Sequence, residues 1–373
     1  MTDFNNLNTN ENVNPEGEAQ NNTSPTEFLY ENGAVTSHSY QKGPQMPLSP
    51  ELMKEKIKIR SDGQVIGSAF IVMYGVILLL NIIFVLISNA FRIAGYPEIT
   101  EQLGSPVSLQ ALEIFFSLIA FTLPFIFIFR LSKIRISDLM CFSVPKFKLA
   151  VPLFLFGISF CSFANIASAI SDAVFDGIFS EQNVGYYVPK PENPTGIYGF
   201  IIAFVSTVIV PAFVEEFACR GLILGLLKKH GEGFAVVASS LLFSLMHGNF
   251  EQIPFAFLVG LVLGFITVKS GTILIAIAVH AFNNSISIVF EYLLKDVPSL
   301  YQDIGYMIFL VICLLLGIFA IFMLNGKDEG LYSFKPSKMK SSNGKKLIWF
   351  FTSVTILIYT AVCLLESLQF FEF

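Results

Sequence analysis

The sequence predicts an all-α, polytopic transmembrane helix bundle of about eight to nine spans, because the chain is poor in charge and repeats apolar runs of bilayer length. Of its 373 residues 54% are hydrophobic and 14% charged, where an ordinary soluble domain carries roughly 25% charged residues. Runs of about 20 apolar residues are long enough to cross a hydrocarbon core of roughly 30 Å. The net charge of -5 discriminates little, since it sums an acidic tail, basic loops and nearly uncharged spans; its distribution is more informative. The bilayer is therefore the expected partner, and nucleic acid is not. Cys141, Cys161, Cys219, Cys313 and Cys363 lie in or beside apolar runs, without the close spacing of a zinc knot or a disulfide framework. They read as small core residues.

Residues 1–62 are rich in Asn, Glu, Pro, Ser and Thr and lack hydrophobic periodicity, so a disordered polar tail is expected there. No apolar h-region interrupts it, so a cleavable signal peptide is not expected. A polytopic membrane domain follows over 63–366. Its spans are placed at 65–89, 107–129, 149–171, 197–227, 234–247, 252–268, 272–293, 304–324 and 346–366, nine in all, from apolar length and the Gly, Pro and charged breaks between them. Lys and Arg collect in short cytoplasmic loops, and here they alternate. Lys54, Lys56, Lys58 and Arg60 precede the first span, while Arg130, Lys133, Arg135, Lys146 and Lys148 fill the second connection. Lys228 and Lys229 mark the fourth, Lys269 the sixth, and Lys327, Lys335, Lys338, Lys340, Lys345 and Lys346 the eighth. The intervening loops hold mainly Asp172, Asp176, Glu181, Glu251, Asp296 and Asp303. A multi-pass protein with a cytoplasmic N-terminal tail and an outside C-terminus is expected, in the plasma membrane if the cell is prokaryotic. Trp349 fits an interfacial anchor.

Three spans carry groups that lipid does not tolerate cheaply; a charge at mid-membrane costs roughly 2.5–3.5 kcal/mol on insertion scales. The fourth contains Glu215, Glu216 and Arg220, the fifth ends on Phe243 and His247, and the seventh contains His280 and Asn284. Glu216 and Arg220 are four residues apart, as are Phe243 and His247, and His280 and Asn284, so each pair shares a helix face. Counted from the basic ends at 1.5 Å per residue, Glu216 lies roughly 18 Å deep, His247 roughly 20 Å, and His280 and Asn284 roughly 12–18 Å. The three stripes can meet at one level. Pro211 is expected to kink the fourth helix above its acidic pair, and Gly221 and Gly225 to allow close approach below it. Taken singly, each stripe reads equally as a buried ion pair or a helix-to-helix hydrogen bond; taken together they read as a reaction site. Glu113, Glu291 and Glu366, near span ends, read as solvated, and the 40 Phe residues as packing bulk.

At these residues the chain resembles the CAAX prenyl protease and bacteriocin-processing family, also called the abortive-infection family. The shared pattern is Glu-Glu-x3-Arg, then Phe-x3-His, then His-x3-Asn or Asp on later helices. It is matched by Glu215, Glu216 and Arg220, by Phe243 and His247, and by His280 and Asn284. The resemblance covers a core of about 196–293. It implies an intramembrane peptidase acting on a membrane-associated, lipid-modified or small leader peptide. Glu215 would act as general base on a water that His247 also holds, His280 and Asn284 would face the oxyanion, and Arg220 would pair with Glu216. Zn2+ is an open possibility, with Glu215, His247 and His280 as its three ligands, since a metal-free glutamate mechanism fits the same residues. Rival readings are a non-catalytic membrane immunity or scaffold protein of the same family, and a proton-coupled transporter.

Overall fold

The structure is a computed structural model and describes residues 48–140, 142–179, 185–186, 193–325 and 331–372. The tail expected over 1–62 falls outside the described residues as far as residue 47; from Pro50 onward the chain is helical. Helix α1 (Pro50–Ile93) starts well before the apolar run because Ser49 caps it, its Oγ accepting from the Leu52 N–H at 3.4 Å, with Pro50 and Glu51 in the first turn. Proline supplies the right φ where no N–H is needed, and an acid there faces the positive helix end. After a short α2 (Pro97–Leu103), α3 (Pro106–Leu131) repeats the Ser-Pro start. Then come α4 (Phe147–Phe179), the long α5 (Gly196–His230), α6 (Glu232–Leu245), α7 (Gln252–Ser270), α8 (Leu274–Leu293), α9 (Ser299–Leu324), α10 (Asn343–Phe351) and α11 (Val354–Leu368). Two-residue strands β1 (Gly185–Tyr186) and β2 (Phe371–Glu372) pair antiparallel.

The bundle is polytopic and all-α in its framework, as expected, and up to eight of the nine placed spans are met. Among the described residues seven helices are long and apolar enough to cross a membrane, and the α10–α11 pair, bent by 75°, makes an eighth if taken as one span. The expected fifth span is α6, only 14 residues, about 21 Å at 1.5 Å per residue and short of a roughly 30 Å core. Gly248, at φ 64°, ends that turn, and Asn249 starts the next helix by accepting from the Gln252 N–H at 2.8 Å.

Large apolar side chains such as Leu78, Leu86, Leu123, Ile308, Leu315 and Phe322 are exposed along α1, α3 and α9, as expected of a lipid-facing perimeter. The basic segments gather at one end. Asp62 of α1 accepts from Lys229 Nζ at 2.9 Å and sits 2.5 Å from His230 Nε2. Glu55 accepts from the Lys340 and Ser341 N–H groups, Glu232 accepts from the Lys335 N–H, and Lys346 Nζ, fully buried, donates to the His230 carbonyl at 2.8 Å. Lys340 pairs with Glu51, and Lys269 Nζ donates to the Ser333 carbonyl. The start of α1 and the segments that carry Lys229, Lys269, Lys335 and Lys340 thus meet one another.

The α10–α11 bend is fixed by Ser353, whose Oγ donates to the Phe350 carbonyl at 2.6 Å, and α1 lies directly against it. A Cβ on Gly63 would stand 2.3 Å from Ser353 Oγ, and one on Gly67 2.5 Å from the Thr355 carbonyl carbon. Gly67→Ala must push backbone away from backbone, an overpacking cost of about 1–3 kcal/mol. A lower unfolding temperature in detergent is the expected result, whereas Gly75→Ala, with nothing nearby, does not lower it, because Ala is the better helix former.

Candidate active site

The site is built on α5, which is not uniformly α-helical. Val205–Ile209 and Phe217–Ile223 are π-wound, and the α-helical stretch Val210–Glu216 between them carries Pro211 and the acidic pair. Such one-turn π segments disrupt the hydrogen-bond ladder and concentrate at functional sites. Glu215 and Glu216 are consecutive and therefore point about 100° apart around the helix, so they enter different surroundings.

Glu216 is sealed in. Its Oε1 accepts from Arg220 Nη1 at 2.8 Å, and neither side chain has solvent exposure. Arg220 Nη2 also donates to the Gly260 carbonyl of α7 at 3.3 Å, and its guanidinium lies 4.2 Å from the centre of the Phe243 ring of α6. A cation so placed gains from both the carbonyl and the ring face. His280 of α8 joins from the other side, with Nδ1 3.0 Å from the same Glu216 Oε1. One carboxylate oxygen thus gathers α5 and α8, and through Arg220 also α6 and α7.

Glu215 is less enclosed. Its side chain is 15% exposed, its Oε2 lies 3.9 Å from His280 Nε2, and that oxygen is buried with no hydrogen bond among the described residues. Glu216 Oε2 is likewise without a donor. His247, at the end of α6, has Nδ1 2.9 Å from the Phe243 carbonyl. A carbonyl only accepts, so Nδ1 carries the proton and Nε2 is left with its lone pair. The Phe243 ring is 5.0 Å from the His247 ring and 5.8 Å from that of His280, edge-on to both. Phe243 is thus the apolar hub between two imidazoles and a guanidinium.

Asn284 is placed differently from the other five residues. Its Nδ2 donates to the Thr207 carbonyl of α5 at 3.1 Å and its Oδ1 accepts from Asn283 Nδ2 at 3.3 Å. Glu215, Glu216, Arg220 and His280 form one connected group, His247 joins it through Phe243, and Asn284 borders it one turn along α8. No group of three or more His, Cys, Asp or Glu side chains among the described residues is gathered so as to hold a metal ion. Of the set Glu215, His247 and His280, Glu215 Oε2 faces His280 Nε2 at 3.9 Å, His280 Nδ1 turns to Glu216 as the second nitrogen of a braced imidazole does, and His247 joins them through the Phe243 ring.

Sequence reasoning missed two members of the site because both are backbone carbonyls, those of Gly260 and Thr207. The Gly260-x3-Gly264 spacing on α7 is a readable signal of close helix approach. A Cβ on Gly260 would stand 2.9 Å from that of Ser240 on α6.

Residues 197–286 match a family profile described as type II CAAX prenyl endopeptidase Rce1-like. No curated protein and no solved structure is significantly similar to the chain. The Rce1-like stretch runs from the start of α5 to just past Asn284 and takes in Glu215, Glu216, Arg220, His247, His280 and Asn284. It supports an intramembrane protease at the level of the family, as the motif resemblance implied.

Within the Rce1-like core the two acids should behave as opposites in stability. Arg220→Ala leaves Glu216 buried without its partner, and breaking such a pair costs about 3–5 kcal/mol. Glu215→Gln removes no hydrogen bond of the fold. Thermal unfolding of purified variants in detergent should show a large drop for the first and little change for the second.

Proposed function

We propose that the chain is an intramembrane endopeptidase in which Glu215 activates water for attack on a peptide bond. The observation that carries this reading is the asymmetry of the acidic pair. Glu216 is spent on Arg220 and His280, whereas Glu215 keeps a buried carboxylate oxygen without a donor, opposite an imidazole. A buried polar group in that state is satisfied by water, which bonds to several such acceptors at once.

The chemistry follows from what each atom has left. A water held by Glu215 and by the His247 Nε2 lone pair loses a proton to Glu215 as its oxygen bonds to the substrate carbonyl carbon. The developing oxyanion faces the second hydrogen of the Asn284 amide, and His280, braced on Glu216 through Nδ1, holds its Nε2 beside Glu215. When the C–N bond breaks, Glu215 returns its proton to the leaving amine. Arg220 touches none of the reacting atoms; it balances Glu216 and thereby orients His280. The substrate is a membrane-associated peptide, either lipid-modified near its C-terminus or a small leader peptide, hydrolysed from the side on which the tail lies, for which the alternation of loop charges favours the cytoplasm.

Glu215→Gln should lower kcat by about 10²–10⁴-fold, the usual contribution of a general base, in a protein that still folds. Mass-spectrometric detection of cleavage, using a farnesylated tetrapeptide-tailed substrate and a panel of leader peptides, measures this in detergent. Wild-type turnover by the Gln variant would end the assignment. Cleavage without any ion gradient also separates a protease from a transporter.

The metal-free glutamate mechanism proposed here makes a second expectation. Dialysis against a chelator, with the metal content of the protein measured before and after, should leave turnover unchanged. Loss of activity that added Zn2+ restores would show that the ligand set rearranges around a metal.

A further inference from the structure

Pro211 lies one helical turn before Glu215. Having no N–H, it cannot donate to the carbonyl four residues back, which is that of Thr207. In a membrane, such a freed carbonyl is met by a side chain of a neighbouring helix or by a local change of winding. Both occur here. Val205–Ile209 is π-wound, and Asn284 Nδ2 donates to the Thr207 carbonyl at 3.1 Å. The other end of the Asn284 amide is held as well, since Oδ1 accepts from Asn283 at 3.3 Å. Spacing makes the bond consequential. Thr207, Pro211 and Glu215 follow one another at four-residue intervals on α5, and His280 and Asn284 do so on α8, so the bond ties the two helices two turns from Glu215 and one turn from His280.

We propose that Pro211 is a positioning residue of the site: by withholding an N–H, it keeps the Thr207 carbonyl open to Asn284, and that cross-helix bond aims the Asn284 amide and sets Glu215 against α8. The catalytic half of this inference rests on the endopeptidase reading; the hydrogen-bond half does not. An N–H at position 211 competes for the same carbonyl, straightens the turn and frees the amide to rotate.

The test is a double-variant cycle with two readouts. Pro211→Ala, a better helix former, should fold and bind substrate with KM within about twofold while kcat falls ~10-fold or more, as for small misplacements of a reacting group. Asn284→Ala strands the Thr207 carbonyl and lowers the unfolding temperature by about 2–4 °C. Adding Pro211→Ala to that variant restores a helical donor and recovers most of the loss, whereas in the parent chain the same change recovers nothing. Equal effects of Pro211→Ala in both backgrounds would sink the clamp. Full rescue of stability beside an unchanged kcat for Pro211→Ala would remove the positioning role and leave only the hydrogen bond. A parent chain that binds peptides and cleaves none, with the rescue intact, would overturn the endopeptidase reading together with the catalytic half of the proposal.

Discussion

The structure turns on the buried pair between Glu216 and Arg220. An acid and a guanidinium at 0% side-chain exposure are stable in a bundle only when each meets the other and further polar or aromatic partners, because unpaired ions in such surroundings cost several kcal/mol each. The answers come from four helices. Glu216 and Arg220 sit on α5, the Gly260 carbonyl on α7, Phe243 on α6 and His280 on α8. Removing any one of these leaves a charge with a bare side, so the pair imposes a packing order on its neighbours. This is a stronger demand than apolar contact makes, since lipid tails compete with apolar packing and cannot substitute for a carbonyl.

That order creates the difference between the two glutamates. An unbroken α-helix would send residues 215 and 216 to adjacent faces and bury the second among whatever packed there. With π segments on both sides of the acidic stretch, the faces above and below are rotated relative to it. Arg220 lies under Glu216 by its four-residue spacing, while Glu215 looks across to α8. The irregular backbone and the buried ion pair thus share one stretch of α5, with the pair bridging the α-helical segment and the π segment that follows it.

The three polar stripes were legible in the sequence because i,i+4 spacing and similar depth are properties of helices alone. Their convergence through Phe243 was implicit in Phe-x3-His, where the ring and the imidazole share a face. Length was legible less well. The apolar count ran through Met246 and His247 and made α6 a full span, whereas the chain turns at Gly248 with a positive φ that composition does not reveal. The last apolar run hid a 75° bend, for Thr352 and Ser353 are polar enough to break a helix only when their hydroxyls turn back on it. Glu366 read as a solvated span-end acid, yet its Oε2 would lie 3.1 Å from a Cβ on Gly248, beside the His247 turn. The carbonyls of Gly260 and Thr207 were illegible for a simpler reason. Every residue has a carbonyl, and only the fold selects the few that become ligands.

The basic end of the bundle shows how a site in the membrane is kept in register with structure outside it. Helix α5 runs from Glu215 to His230 without leaving the bundle, and its end is gripped by Asp62 of α1 and by Lys346 of α10. Those two helices also meet near Gly63 and the Ser353 bend, so α1 and α10 form a brace around the terminus of the helix that carries the acids. Neither belongs to the Rce1-like stretch. That stretch carries the candidate site residues, and the flanking helices fix one end of its central helix. The other end is then located from within, where Asn284 reaches the carbonyl behind Pro211, and between these two fixed points Glu215 has little freedom to drift from His280.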